Sequence, residues 1–277
     1  MGGIVHTKGE VLKCVFDWVG ERRVAEVGPL LVASLLFASA PQEPPRDKLR
    51  LGVDYRWWGR NLQVRDGNGL VGAASAGPLP TGATLDVQWF PAAYFVDDRG
   101  GDLGVTLRAD VAPVFDTTLG GAHFKSTAVR LRTGLMFRLP FRRVEPSVHA
   151  GLHFFESTTA AVSAEGTPRP RIPNVSYQGP RFGLGLRLLE VWRITFDVGF
   201  GATWLLGKGE LGSAAFYPGA TGSALDGNLG IAFRTWPWLD VRLGVDVTVH
   251  DLSLGNGLKA NDALYGMSRG FVFKGAP

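Results

Sequence analysis

Between residues 47 and 273 the chain alternates apolar and polar residues in run after run, joined by connections that are short, then long, then short again. Successive side chains of a strand point to opposite faces. Each run is therefore a strand with one apolar and one polar side. Strands of about ten residues with tight turns at one end and longer loops at the other are the pattern of a transmembrane β-barrel. No apolar run is long enough for a membrane-spanning helix, which needs about 20 residues. Charged residues make up only 19% of the chain and glycine contributes 38 residues. Mean hydropathy is near zero, because alternation hides the apolar face in the average.

The first strand, 48–58, sets Leu51, Val53, Tyr55 and Trp57 against Arg50, Asp54 and Arg56. In 83–90, Leu85, Val87 and Trp89 oppose Asp86; in 102–111, Leu103, Val105 and Leu107 oppose Arg108 and Asp110. The next three, 125–139, 146–155 and 179–188, carry Arg130 and Arg132, then His149 and His153, then Arg181 and Arg187 on their polar sides. The pattern is cleanest in 192–204, where Trp192, Ile194, Phe196, Val198, Phe200 and Trp204 oppose Arg193, Asp197 and small residues. Asp226 and Arg234 back 225–235, and Asp240, Arg242 and Asp246 back 239–250. The last strand, 263–273, is weaker, because Arg269 interrupts the apolar set of Tyr265, Met267, Phe271 and Phe273.

These runs predict an all-β, antiparallel up-and-down barrel of about ten strands, with twelve or eight as alternatives. Segments 59–82, 112–124, 156–178, 205–224 and 251–262 read as extracellular loops, and a hairpin around Leu70 and Val71 would raise the count to twelve. The short connections contain Leu139-Pro140-Phe141, Leu189-Glu190-Val191 and Trp236-Pro237-Trp238 and read as periplasmic turns. Trp57, Trp89, Trp192, Trp204, Trp236, Trp238, Phe271 and Phe273 fall at strand ends, as two girdles at the membrane–water boundaries would require. A soluble sandwich or lipocalin-like barrel is the rival, but no helices remain to cover its apolar outer face.

Upstream lies an export segment. Arg22 and Arg23 precede an apolar stretch at 28–38, followed by Ala38-Ser39-Ala40 and a proline-rich stretch. A positive region, an apolar core and a small-x-small site make a Sec signal peptide. The expected organisation is an extension and cleaved signal at 1–40, a periplasmic lead-in at 41–47, a barrel at 48–273 and a tail at 274–277. The start at Met1 leaves an unusually long positive region, so initiation nearer Val19 or Val24 is the competing reading. The one cysteine, Cys14, lies upstream of the cleavage site. Residues 1–40 hold four basic and four acidic residues, so the exported chain keeps the net charge of +4. No basic run points to nucleic acid.

The inner face carries both signs of charge at similar depth: Asp54, Arg56, Asp86, Arg108, Asp110, Arg130, Arg132, Arg187, Asp197, Asp226, Arg234, Arg242 and Asp246. Such residues pair across a narrow lumen, giving either a filled structural interior or a narrow pore for small, anionic solutes. Catalysis has weaker support. His250-Asp251, Asp110, Asp116 and Asp262 sit near the outer rim, but no spacing places a general base against a water. His149 and His153 are too far apart along one strand to share an ion. Gly207–Gly212 lacks the βαβ context of a dinucleotide loop. No cofactor or metal is expected.

The export segment, the alternating strands and the pair Phe271 and Phe273 resemble the small bacterial outer-membrane β-barrel proteins, the broad class of OmpA-like and OmpW-like barrels. The resemblance covers roughly 47–273. It implies lipopolysaccharide and the barrel-assembly machinery as partners and a bacterial outer-membrane location. Such barrels commonly end on an aromatic residue, whereas Lys274-Gly275-Ala276-Pro277 follow Phe273 here. The function expected is a structural or narrowly conducting barrel, with a surface adhesin acting through its outer loops as the alternative and a protease or lipid-modifying enzyme as the remote third.

Overall fold

The computed structural model describes residues 47–66, 69–76, 81–95, 102–119, 121–141, 143–163, 166–168, 173–191, 193–255 and 257–275. The expected signal segment and the early-initiation reading lie outside these residues, as does Trp192. The strands are β1 (Leu49–Asp66), β2 (Gly69–Ala76), β3 (Thr81–Trp89), β4 (Leu103–Leu119), β5 (Ala122–Arg138), β6 (Val144–Thr159), β7 (Val175–Val191), β8 (Ile194–Leu205), β9 (Thr221–Trp236), β10 (Leu239–Gly255) and β11 (Leu258–Lys274). Each pairs antiparallel with its neighbours, and β11 pairs back onto β1 from Arg50↔Lys274 to Arg65↔Lys259, closing the sheet. Closure removes the free edges that an open sheet would leave unpaired in lipid.

The eleven strands make ten staves. β2 pairs with the outer end of β1 and β3 with its inner end, and both pair with β4, so the two form one interrupted stave. The hairpin that would have given twelve staves is therefore a continuation of the second stave.

Three of the segments read as long loops, 59–82, 112–124 and 251–262, are mostly strand, whereas 156–178 and 205–224 run mainly outside strands, between Thr159 and Val175 and between Leu205 and Thr221. β4 and β5 meet at Gly121 (φ +87°), and β10 and β11 turn at Gly255 (φ +85°) and Gly257 (φ +78°), left-handed conformations that glycine adopts without steric cost. The reason they read as loops is a reversal of polarity along each strand. In β10 the outward side runs Val241, Leu243, Val245, Val247, Val249, then Asp251 and Ser253. Its inward side runs Asp240, Arg242, Asp246, then Leu252 and Leu254, which are 1% and 4% exposed. β11 and β5 do the same, with outward Asn261 and Lys259, or Thr127 and Lys125, above an apolar stretch. The phase persists while the chemistry of the two faces swaps.

A bulge in β4 serves that swap. Its register against β5 shifts between Ala112 and Phe115, around Pro113. The extra residue returns Phe115 and Leu119 to the interior, where they are 7% and 1% exposed. Proline is tolerated there because the ladder is already broken.

At the opposite end the turns are tight. β7 extends through Leu189, Glu190 and Val191, so the turn to β8 falls one step later, at Arg193 (φ +68°), which the alternation had placed on a strand face. The apolar outer band spans Leu103–Val111 on β4 and Ile194–Trp204 on β8, with Phe182, Leu184 and Phe200 about two-thirds exposed. Lengths of about 9–11 residues are what a tilted strand needs to cross a bilayer.

Candidate functional site in the barrel lumen

Alternation aims every second side chain inward, so the lumen is the concave feature of the molecule. It is layered. Next to the short turns, a cavity of about 190 Å³ is lined by Asp54, Asp86, Arg108, His149, Arg187 and Arg242, among others. A second of about 90 Å³ lies beside Arg50, Glu145, Arg234, Asp240 and Lys274. Their walls are ion-paired. Arg242 donates to Asp54 and, at 3.0 Å, to Asp86. Arg187 donates to Asp197 and reaches Glu145 at 3.3 Å, which also receives Arg50 at 3.0 Å. Arg138 donates to Asp102 at 3.1 Å and lies over the Phe90 ring. Guanidinium groups paired in this way are fixed wall rather than mobile charge.

Above this vestibule a layer of charge crosses the barrel. Arg130 of β5 donates to Asp110 of β4 at 2.7 Å and to Asp246 of β10 at 2.9 Å. Arg56 of β1 bonds the same Asp246 and lies 3.3 Å from Asp110. Thr84 donates to Asp110 at 2.6 Å, and Arg108 approaches it at 3.4 Å. Arg56 and Arg130 both lie over the Trp58 ring. Beside this group, Arg181 binds Asp226 through two bonds at 2.9 and 2.6 Å, and Arg132 and Arg130 share the Thr248 hydroxyl. Asp110, Arg130 and Arg56 are at most 1% exposed. Charges this deep persist because each faces an opposite charge at bonding distance.

The third layer closes the outer end. Leu62, Phe115, Leu119, Phe124, Phe155, Tyr177, Leu205, Leu211, Leu252, Leu254 and Leu264 form one buried cluster filling the barrel above the ion pairs. At its lower boundary the rings of Tyr177 and His250 pack at 4.4 Å, with Phe155 beside both and the His153 ring 5.9 Å from that of His250. Arg60 crosses here, donating to both Asp262 oxygens at 2.9 and 2.8 Å and to Ser157 at 3.0 Å. The Asp262 backbone carbonyl lies 3.1 Å from His250 Nδ1.

The inner-face residues expected from alternation thus occupy two places. Arg56, Arg108, Asp110, Arg130, Arg132, Asp226 and Asp246 form the central layer, whereas Asp54, Asp86, Arg187, Asp197, Arg234 and Arg242 line the vestibule. Of the rim candidates for catalysis, His250 and Asp262 meet, paired across β10 and β11 and both 0% exposed, with Asp262 held by Arg60; Asp110 lies apart, deep among arginines, Asp116 pairs with Lys125 outside, and Asp251 points outward. His149 bonds Ser147 in the vestibule, one layer below His153. Sequence reading missed the plug and the Arg60–Asp262 pair, because both fall in segments taken for loops. The signal that marks them is the unbroken period-2 phase of 250–264.

The aromatic residues sort by level. Trp89, Trp236, Trp238 and Phe273 lie at the short-turn end, where Trp236, Trp238 and Phe273 stack with centroids 6.0 and 6.4 Å apart. Phe271 lies one outward position above Phe273, Trp57 lies within the band opposite Met267, and Trp204 lies at the upper edge.

No protein-family model matches the sequence, and no curated protein does. Solved structures do. The outer membrane protease OmpT of Escherichia coli superimposes with a TM-score of 0.54 at 10% identity, over 87% of this chain and 100% of its own. The COG4313 outer membrane channel of Pseudomonas putida F1 gives 0.45 at 10% identity, over 84% of this chain and 97% of its own. The outer membrane protein OprG of Pseudomonas aeruginosa gives 0.34 at 9% identity, over 84% and 98%. The feature shared with OmpT is the fold: this chain is a small barrel of the outer-membrane type.

Proposed function

We propose that this outer-membrane barrel is non-conducting and non-enzymatic, and acts through the strand-built platform it raises above the membrane. The observation carrying this reading is the double seal. A cross-lumen ion-pair layer is followed by an apolar plug, so the described side chains offer no continuous polar path between the two mouths. Ion conduction needs polar partners along the whole route. The imidazoles and carboxylates that a rim enzyme would use are buried, paired or turned apart. What remains accessible is the outer surface of the platform, with Lys125, Asp116, Glu156, Asn174 and Glu210 among its polar residues. That surface suits recognition of a partner outside the cell. Lipopolysaccharide and the assembly machinery are its expected neighbours, and export through the signal at 1–40 belongs to the same reading.

Planar-bilayer recording of the refolded barrel tests it. The expected result is no unitary current, paired with an unheated-versus-boiled mobility shift that reports a closed barrel. Steady anion-selective steps would instead favour a narrow anion channel, the reading supported by the arginine-lined vestibule of about 190 Å³.

A further inference from the structure

The central charge layer is unbalanced. The guanidinium groups of Arg56, Arg108, Arg130, Arg132 and Arg181 meet only three carboxylates there, those of Asp110, Asp226 and Asp246. Asp54 and Asp86 return part of the difference, since the two share Arg242 and both act on Arg108. Arg132 has no such support. Its one ion-pair partner among the described residues is Asp226, at 3.6 Å, and that carboxylate is already gripped by Arg181 through bonds of 2.9 and 2.6 Å. Arg130, Arg181 and Arg108 all bear on it as like charges. A buried guanidinium among like neighbours calls for further negative charge.

The same corner holds donors without acceptors. Arg132 Nε is buried and makes no hydrogen bond among the described residues. His153, directly opposite Arg132 on β6, is 1% exposed, and neither of its ring nitrogens has a partner there. Thr203, opposite Arg181 on β8 and equally buried, has a hydroxyl in the same condition. Buried polar groups are ordinarily paired, so three such side chains in one corner point to an occupant. Charge selects its kind. The His153 and His250 rings lie 5.9 Å apart, but a metal ion between them would meet the repulsion of Arg130 and Arg132. Access is from the short-turn side, because Arg132, Arg181 and Arg108 also line the cavity of about 190 Å³. Phe155 and Leu205, the next inward residues above His153 and Thr203, belong to the apolar plug and close the far side.

We infer that the inner end of the vestibule is a dead-end binding site for one small monovalent anion, a halide or a planar oxyanion, held by Arg132, His153 and Thr203. One negative charge offsets the surplus at Arg132, and the guanidinium, imidazole and hydroxyl donors give it charge-assisted hydrogen bonds. The inference goes beyond the platform reading and stands whether or not the lumen conducts.

The test uses the exported chain refolded in detergent, with bromide as the probe. Crystals soaked in sodium bromide are expected to show an anomalous peak within bonding reach of Arg132, His153 and Thr203. In solution, urea unfolding is followed at constant ionic strength while bromide replaces gluconate, and the midpoint is expected to rise and saturate. Thr203→Val, close in shape to the original, should raise the half-saturating bromide concentration about tenfold, the loss of one hydrogen bond to a charged group. His153→Leu should do the same. Arg132→Met should abolish the response, yet in gluconate be at least as stable as wild type, because it removes an under-compensated charge. Arg181→Met strips Asp226 of its two-bond partner and should be the less stable of the two there. A wild type with neither peak nor midpoint shift would overturn the site, leaving those donors to water alone. An equal midpoint shift in all the variants would reduce it to a general salt effect. An Arg132→Met barrel less stable than Arg181→Met in gluconate would make Arg132 a structural partner of Asp226 and refute the surplus charge.

Discussion

The lower and upper halves of this barrel are built from the same strands but solve opposite problems. In the lower half the outside meets lipid, so the apolar residues face out and no water is displaced by turning them inward. Its interior is held by arginine–carboxylate pairs such as Arg130 with Asp110 and Asp246. In the upper half the outside meets water. The hydrophobic effect then acts in its ordinary direction, packing Phe124, Phe155, Leu252 and Leu264 inside. A barrel wall thus passes from an inside-out protein to an ordinary one without changing secondary structure, because period-2 geometry is indifferent to which face is apolar. The two interiors seal the lumen by different physics, directional ion pairs below and non-directional packing above.

The largest effect should come from breaking the lower seal on one side only. Arg130→Ala leaves Asp110 and Asp246 buried with reduced compensation, and a cost of roughly 3–5 kcal/mol is expected. Guanidinium unfolding of the barrel in detergent, followed by tryptophan fluorescence, measures it, and replacing Asp246 by Asn in the same chain should recover part of the loss. The upper seal should respond nearly as strongly but through packing. Phe155→Ala is expected to cost about 3–5 kcal/mol, with a steep dependence on the cavity left behind. Neither variant alone should conduct in a planar bilayer, since the other layer still closes the lumen. Current from either single variant would show that the seals are not independent.

The outer faces sharpen the comparison further. Leu184→Arg places a cation in the lipid band and should cost about 2–4 kcal/mol, whereas Thr127→Arg, above the band, should stay within about 0.5 kcal/mol. Equal costs at the two sites would refute the placement of the boundary. Smallest of all should be Asp116→Ala, which removes the exposed pair with Lys125. Their side chains are 54% and 62% exposed, so a change of no more than about 1 kcal/mol is expected by the same unfolding measurement.

The lower half was legible in sequence for a simple reason. Val241 to Val249 alternate with Asp240, Arg242 and Asp246, and a strand that alternates this way with no soluble cover has few other fates. The inner arginines and aspartates could be listed from phase alone, though not their partners. Arg130 reaching Asp246 across the lumen, 116 residues away in sequence, depends on curvature and stagger that no single strand encodes. The upper half was misread because the period persists while the polarity reverses. Ser253, Leu254, Lys259 and Ala260 look like loop composition when the outward face is assumed to be apolar throughout. The β4 bulge deepened the error, since Pro113 and the extra residue break the alternation where the reversal begins.

By itself the sequence determined the strand period, the closed antiparallel class, the apolar band and the signs of the charges turned inward. These follow from local geometry, in which neighbouring side chains fall on opposite faces whatever the rest of the chain does. The tertiary structure alone decided that β2 and β3 share one stave, that three arginines converge on Asp110 and Asp246, and that the platform is strand with an apolar plug. Those outcomes rest on closure. Only when β11 meets β1 do inward faces confront one another, and only then does each inward side chain acquire the partner that fixes its role.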